Sequence, residues 1–284
     1  MLWGNKPTDG GNFILSKEER FELIAAEPEA KSFIRPYISG KDFIDGDTRY
    51  CLWLKDVDPK VIRSMPRVSA RVQAVKEFRL KSDAPSTRAF ADYPTLFRQI
   101  AQPNSDYLAI PEVSSERRKY IAMAFVSKKI VCSNAVQFIP NATLYHFGML
   151  ESALHMAWVR SVAGKLKSDF RYSNTIVYNN FPWPESPTDK QKLGIESAAQ
   201  GVLDARAEFS KSSLADLYDP LAMPPPLSKA HQKLDAAVDA AYGKKSFKSD
   251  AERVAFLFTL YQKYTSLLPA ETVVKRRKAN KASV

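Results

Sequence analysis

Apolar residues recur at intervals of three or four along parts of this chain, which is the spacing that one face of an α-helix requires. Residues Leu144, Phe147, Leu150, Leu154 and Trp158 follow this pattern. The spacing predicts one helix over residues 143–163, closed by Gly164, since glycine accommodates the backbone that ends a helix. A second helix is predicted over residues 61–80, kinked near Pro66.

Three pairs of residues have the spacing of a capping box, in which a hydroxyl residue is followed three positions later by Glu or Gln. The pairs are Ser16 with Glu19, Thr188 with Gln191 and Ser249 with Glu252. They predict a helix after Ser16. Three more helices are predicted near residues 188–212, 228–242 and 249–267, of which Thr188 begins the first and Ser249 the third. Gly243 would end the second of these three helices.

Short runs rich in β-branched and aromatic residues predict strands. The runs are Arg49–Leu54, Tyr120–Val126, Ile130–Phe138 and Thr175–Tyr178. Ser127–Lys129 would join the second and third runs as a hairpin. Together these elements predict an α+β fold, with a mixed α/β domain of short strands and helices over residues 1–185. A small all-helical C-terminal domain follows over residues 186–284, after the proline-rich corner Phe181–Pro184.

Charge distinguishes this chain from an average globular protein. Its 284 residues include 42 Lys and Arg against 31 Asp and Glu, which gives a net charge of +11 and a pI near 9.5. A basic balance of this size is typical of proteins that bind nucleic acid. The two cysteines, Cys51 and Cys132, exclude a disulfide scaffold and a zinc-finger module, and they predict a cytoplasmic protein. Since no apolar run is long enough to span a bilayer, no membrane partner is expected.

Motifs for catalysis are missing from the sequence. It contains no phosphate-binding G-x-x-x-x-G-K-S/T or G-x-G-x-x-G string, no H-E-x-x-H metal motif and no G-x-S-x-G nucleophile. No metal site is therefore predicted, and the chain is expected to be a binder rather than an enzyme. A small catalytic site around His146 and Glu151 stays open as an alternative.

Basic residues cluster in three segments, residues 63–81, 114–119 and 165–171, with hydroxyl and amide side chains among or close to them. Phosphate and base contacts use these residue types. In the segment 167–169, Lys167 matches a guanine acceptor edge and Asp169 matches the cytosine amino group. If the segment is extended, both side chains point to one side, so the pair could read one G·C base pair.

Two strings of sequence, LKSDFRYS at 166–173 and YNNFPWP at 178–184, resemble the C-terminal part of MmeI-like type II restriction-modification enzymes and related adenine-specific DNA methyltransferases. Segments 4–11, 49–54, 111–118 and 145–148 resemble further blocks of that family, in the same order. The resemblance implies a DNA target recognition domain over 1–185 and a helical C-terminal domain over 186–284. It also implies a chain that is not catalytic alone. S-adenosylmethionine is then expected on a methyltransferase domain of the same or a partner chain, and whether the parent enzyme also cuts DNA stays open.

The resemblance implies specific roles for a few residues. Lys167 and Asp169 match the positions that select G beside the methylated adenine, and Arg171, Asn134 and Ala135 fall near positions that select other bases. Charge and position predict contacts to DNA phosphates from a second set of residues: Arg63, Arg67, Arg71, Arg117, Arg118 and Lys165. In the helical domain, we expect three lysines to contact the DNA backbone as well: Lys244, Lys245 and Lys248.

Two alternatives besides the catalytic site around His146 and Glu151 stay open at this point. The chain could be a general nucleic-acid-binding module for RNA or non-specific DNA, or a module that docks another subunit.

Overall fold

The computed structural model describes residues 1–266, which form three small β-sheets surrounded by helices, an α+β arrangement. The elements of the first part are β1 (Leu2–Trp3), β2 (Ile14–Leu15), α1 (Lys17–Ala26), β3 (Ile34–Ile38), α2 (Gly40–Asp45), β4 (Arg49–Leu52), α3 (Pro59–Arg63), α4 (Pro66–Leu80) and α5 (Pro85–Ala89). A turn at residues 9–12 separates β1 from β2, with Gly10 and Gly11 both in the left-handed region.

The middle of the chain supplies most of the strands. Its elements are β5 (Tyr107–Pro111), β6 (Val113–Ser114), β7 (Ala124–Val126), β8 (Val131–Cys132), β9 (Val136–Pro140), α6 (Leu144–Leu150), α7 (Ala153–Val162), β10 (Gly164–Leu166) and β11 (Asp169–Arg171). The last part is helical: α8 (Asp189–Ala207), α9 (Leu214–Leu217), α10 (Pro225–Ala241) and α11 (Asp250–Ser266).

The sheets bring distant segments together. The orders of strands are β1-β9-β5-β7, β2-β4-β3-β8 and β10-β11-β6. All pairs are antiparallel except β3 with β8, which run parallel with Tyr37 opposite Val131 and Ile38 opposite Cys132. The carboxyl ends of β3 and β8 therefore meet at one edge, so residues 39–41 lie beside residues 133–135.

Two hydrophobic clusters form the interior. The smaller one contains Phe13, Leu52 and Val68 and lies in the first part of the chain. The larger one joins the middle strands, α6 and α7 to the C-terminal helices. At Gly148 a Cβ atom would lie 2.7 Å from Ile195, so α6 and α8 approach closely where only glycine fits. The proposed boundary near residue 185 thus separates two stretches of chain that share one core.

A buried polar cluster links the C-terminal helices to the middle of the chain. The guanidinium of Arg206 on α8 donates to Glu151 Oε1 at 2.5 Å, to the Met123 carbonyl at 2.6 Å and to the Tyr218 hydroxyl. That hydroxyl lies 2.8 Å from His231 Nε2. Burial raises the pKa of Glu151, and the charge of Arg206 opposes the rise.

Two local predictions concerning helix starts are confirmed. The Ser16–Glu19 and Thr188–Gln191 capping boxes are both present, at the first turns of α1 and α8. At α11 the Ser249 hydroxyl accepts from the Glu252 N–H at 3.2 Å. Gly243 follows α10 with φ near 72°. The helix ends differ from the predicted bounds by a few residues.

Both predicted long helices are instead divided in two. Residues 61–80 do not form one kinked helix, because Pro66 occupies the first position of α4, where its missing N–H is not needed. Residues 143–163 divide at Glu151, since Ser152 caps a new helix by accepting from the His155 N–H. Gly164 does not cap that helix but begins β10.

Three strand predictions are wrong. Residues 130–138 form two strands of different sheets, β8 and β9, with a turn at residues 134–135 between them. Residues 127–129 do not join a hairpin, since β7 pairs with β5 while β8 joins the other sheet beside β3. Residues 175–178 are a single wide helical turn, because the Ser173 hydroxyl accepts from the Ile176 N–H and the Asn180 amide donates to the Thr175 and Ile176 carbonyls. Such local side-chain bonds compete with pairing in a sheet.

No helix among residues 1–266 is both long enough and apolar enough to cross a bilayer. Cys51 and Cys132 are buried as free thiols. The basic run at residues 275–278, for which a polar sequence near the chain end predicts fraying, lies outside the described residues.

Candidate nucleic-acid interface

A cleft of about 390 Å³, lined by both charged and apolar side chains, opens where β3 and β8 end. We call it the recognition cleft. Its lining includes Ser39, Lys41, Ser115, Arg118, Ala135 and Asp169. These residues come from four separate segments of the chain, and three of them, Arg118, Ala135 and Asp169, are predicted site residues.

The first wall of the cleft is α2, which begins directly after β3. Ser39 caps this helix in a capping box with Asp42, and Arg49 pairs with Asp42 at 2.8 Å. Although burial acts to raise the pKa of Asp42, hydrogen bonds from Ser39 and Arg49 hold it below its usual value. At Gly40 a Cβ atom would lie 3.0 Å from the Ala135 carbonyl oxygen. Glycine there lets the start of α2 approach the opposite wall.

The opposite wall is the turn formed by Asn134 and Ala135, between β8 and β9. The Ser133 hydroxyl accepts from the Ala135 N–H at 3.1 Å, and the Ala135 carbonyl accepts from the Glu112 N–H at 2.9 Å. Both turn residues are partly exposed. The backbone of this turn is therefore fixed while its side chains face solvent or the cleft.

A hairpin forms the third part of the site. β10 and β11 pair antiparallel, with Leu166 opposite Asp169, so Lys167 and Ser168 are the two residues of its turn. Lys167 has φ near 56° and is exposed at the tip, whereas Asp169 lies in the strand and reaches the cleft. The expectation of an extended segment at 167–169 is thus wrong. The cause is the pairing of β10 with β11, which forces the chain to reverse direction there.

Asp169 and Arg171 are held by different neighbours. The Glu116 N–H donates to Asp169 Oδ1 at 3.3 Å. Arg171 pairs through its Nε with Glu112 Oε1 at 2.9 Å, and the Glu112 carbonyl accepts from the Tyr172 N–H at 2.7 Å. Since Glu112 also donates to Ala135, it joins the hairpin strand to the turn on the other side of the cleft.

Comparison with known proteins assigns this chain to a family. The model of the MmeI target recognition domain matches residues 1–185, and the model of the MmeI C-terminal domain matches residues 187–269. The chain belongs to the MmeI family. It is 40% identical over 265 residues to DNA methyltransferase A of Bacillus subtilis (strain 168), which covers 93% of this chain and 30% of that protein.

A solved structure is also similar, that of the type IIL restriction-modification enzyme MmeI in complex with DNA. The identity is 49% and the TM-score 0.92, over 94% of this chain and 35% of that one. The chain thus spans about a third of the length of these MmeI-family relatives.

The basic residues predicted to contact phosphates in this MmeI-family chain have different surroundings. Arg63, Arg67 and Arg117 are exposed. Arg71 donates to the Asn12 carbonyl at 3.1 Å and pairs with Glu19 at 3.0 Å. Lys165 pairs with Glu116 at 3.2 Å and lies 3.8 Å above the Phe170 ring. A phosphate at Arg71 or Lys165 would therefore compete with contacts inside the protein.

The cleft also contains residues that sequence reasoning missed. Lys41 and Asp45 line it, and Glu112 supports it through its bonds to Arg171 and Ala135. One local signal was available for α2, since Ser39 and Asp42 have a capping-box spacing with Asp in place of Glu. The α3 and α4 arginines are not among the cleft residues. Within residues 1–266 no group of three or more His, Cys, Asp or Glu residues could hold a metal ion.

Proposed function

We propose that this chain reads a DNA sequence as the specificity part of an adenine-N6 DNA methyltransferase or type IIG restriction-modification enzyme. The observation that carries the proposal is the recognition cleft, where Asp169, Ala135 and Arg118 converge from separate segments. Membership of the MmeI family supports it, since a relative of known structure was solved with DNA. That complex favours DNA over RNA as the ligand.

Base recognition is assigned first to the hairpin. A two-stranded β-ribbon fits the major groove of B-DNA. In the proposal, Lys167 at the hairpin tip donates to guanine O6 and N7, and Asp169 accepts from the amino group of the paired cytosine. Arg171, Asn134 and Ala135 contact neighbouring base pairs from the same side.

Phosphate contacts supply affinity that does not depend on sequence. The exposed Arg63, Arg67 and Arg117 suit this role, because their charges are accessible. Each phosphate neutralised makes the slope of log affinity against log salt steeper by about 0.9. Arg71 and Lys165 join this set only if DNA displaces their internal partners. The same role is proposed for three lysines between α10 and α11: Lys244, Lys245 and Lys248.

The proposed partner is a methyltransferase domain of the same or another chain, working in the cytoplasm. That domain would bind S-adenosylmethionine, which the similarity of this chain to a DNA methyltransferase supports. Methylation at adenine N6 requires the base to leave the duplex stack. The role of this chain is to place one adenine beside that domain.

The test is a charge exchange, Lys167→Glu with Asp169→Arg, in the full-length protein. Methylated sites are mapped by sequencing, and the expected result is a change from G to C at one position of the site. The matched control exchanges the ion pair Asp189 and Lys192 on α8, as Asp189→Lys with Lys192→Asp. The control should keep the original site. An exchanged hairpin that keeps the original site would contradict the proposal.

A further inference from the structure

Arg117 and Arg118 are neighbours in sequence with different environments. Arg117 is exposed, whereas Arg118 is partly buried and lines the recognition cleft beside Asp169 and Ala135. Sequence alone gave both the same role, a contact to DNA phosphates. Because only Arg118 lines the cleft, the two arginines are expected to contact different parts of the DNA.

The guanidinium of Arg118 donates no hydrogen bond to another group among residues 1–266. It forms no ion pair within these residues either, and only the backbone N–H of Arg118 donates, to the Ser115 carbonyl at 3.1 Å. Burial lowers its pKa, against the favourable influence of nearby carboxylates. The donors of this half-buried guanidinium are therefore available to an acceptor that enters the cleft.

The charges around Arg118 discriminate between two classes of acceptor. Asp169, Asp45 and Asp219 are the carboxylates that act on it, and the first two also line the cleft. The cleft holds two cations, Arg118 and Lys41, against two carboxylates, Asp169 and Asp45, so it offers a phosphate no net positive charge. The edge of a guanine is neutral and presents two acceptors, O6 and N7, at the spacing of a guanidinium fork. The cleft therefore favours a base edge over a phosphate.

We propose that Arg118 is a base-reading residue, which donates to O6 and N7 of a second guanine. This guanine belongs to a base pair next to the one assigned to Lys167 and Asp169, because Arg118 and Asp169 line the same cleft. The inference rests on the proposed function. It moves Arg118 out of the group of phosphate contacts.

The test compares Arg118→Ala, Arg118→Lys and Arg117→Ala in the full-length protein. Each variant is assayed for binding to duplexes that carry every single base substitution of the methylated site, at several salt concentrations. Arg118→Ala should lose discrimination at one G·C position by about 5- to 150-fold. Arg118→Lys should retain part of it. Arg117→Ala should weaken binding equally on all duplexes and reduce the salt slope by about 0.9.

A modified base makes the test sharper and independent of protein folding. 7-Deazaguanine at the affected position removes N7 and should weaken binding by the wild-type protein. The same modification should have no further effect on Arg118→Ala.

Two outcomes would overturn the inference about Arg118. One is a uniform loss on all duplexes with a smaller salt slope, which marks a phosphate contact. The other is unchanged discrimination in a folded Arg118→Ala protein. If the exchange at Lys167 and Asp169 still changes the site, the proposed function survives this failure. If the wild-type protein discriminates no DNA sequence at all, the proposed function itself fails.

Discussion

The buried ion pair between Glu151 and Arg206 allows a quantitative prediction about how the C-terminal helices are attached. Arg206→Met keeps most of the side-chain volume but leaves Glu151 without its cation. Removal of one partner of a buried pair typically lowers the free energy of unfolding by about 3–5 kcal/mol. Glu151 is 1% exposed, so water cannot replace the missing charge.

The ionisation of Glu151 gives a second estimate of the same loss. In the variant, Glu151 avoids an unpaired buried charge by staying protonated when folded, while in the unfolded chain it ionises above its ordinary pKa of 4.5. Each pH unit above that value costs the folded state about 1.4 kcal/mol. The upper limit is about 5 kcal/mol at pH 8 and about 2 kcal/mol at pH 6. Wild-type Glu151 itself has a pKa raised to about 7, so the wild-type protein shares part of this pH dependence. The loss relative to wild type should therefore shrink by about 1 kcal/mol as the pH falls from 8 to 6.

Urea unfolding of both proteins at pH 8 and pH 6 measures this difference. Glu151→Gln combined with Arg206→Met should recover much of the stability and remove the added pH dependence, because the amide is neutral at both values. Lys263→Met removes an exposed ion pair with Glu185 and should change nothing measurable. An Arg206→Met protein as stable as wild type at pH 8, or with an unchanged pH dependence, would refute the reasoning.

Two further predictions concern stability elsewhere. Burial lowers the pKa of His155 to about 3, so the folded state resists protonation that the unfolded chain accepts below about pH 6.5. The protein should lose about 2 kcal/mol between pH 8 and pH 5 through His155 alone, and His155→Gln should show a pH dependence smaller by that amount in urea unfolding. At the start of α4 the Glu27 carboxylate accepts from the Arg67 and Val68 N–H groups at 2.5 and 3.1 Å. Glu27→Ala should lower the free energy of unfolding by about 1 kcal/mol, whereas Glu29→Ala should not, and equal effects would argue against this cap.

Local signals predicted the helix starts better than the strand partners. The capping boxes at Ser16 and Thr188 depend only on residues three positions apart, so the sequence contains all the information they need. The turn at residues 127–129 depends on bonds to distant residues instead. The Asp106 carboxylate accepts from the Lys128 N–H, and the Gln102 amide donates to the Lys128 and Ile130 carbonyls. These bonds fix a turn after which β8 pairs with β3 rather than with β7.

The sequence singled out three residues that line the recognition cleft, Arg118, Ala135 and Asp169, but it did not predict the shape of the cleft. Asp169 and Ala135 came from family resemblance, and Arg118 came from charge. Their convergence depends on the parallel pairing of β3 with β8, whose residues lie more than ninety positions apart. No periodicity in a short window reports such a pairing. For the same reason, Lys41 on α2 was missed.

The bonds that shape the recognition cleft mostly avoid the side chains assigned to base reading. The Ala135 turn is held through the Glu112 N–H, and the hairpin strand through the Tyr172 N–H and the Glu112 carbonyl. Backbone groups of this kind are the same for every residue type except proline. Side chains at Asn134, Ala135 and Lys167 are therefore replaceable with little loss of fold, because their contribution to the core is small. Such an arrangement lets one framework carry different base contacts, which is the physical condition for changing DNA specificity by substitution alone.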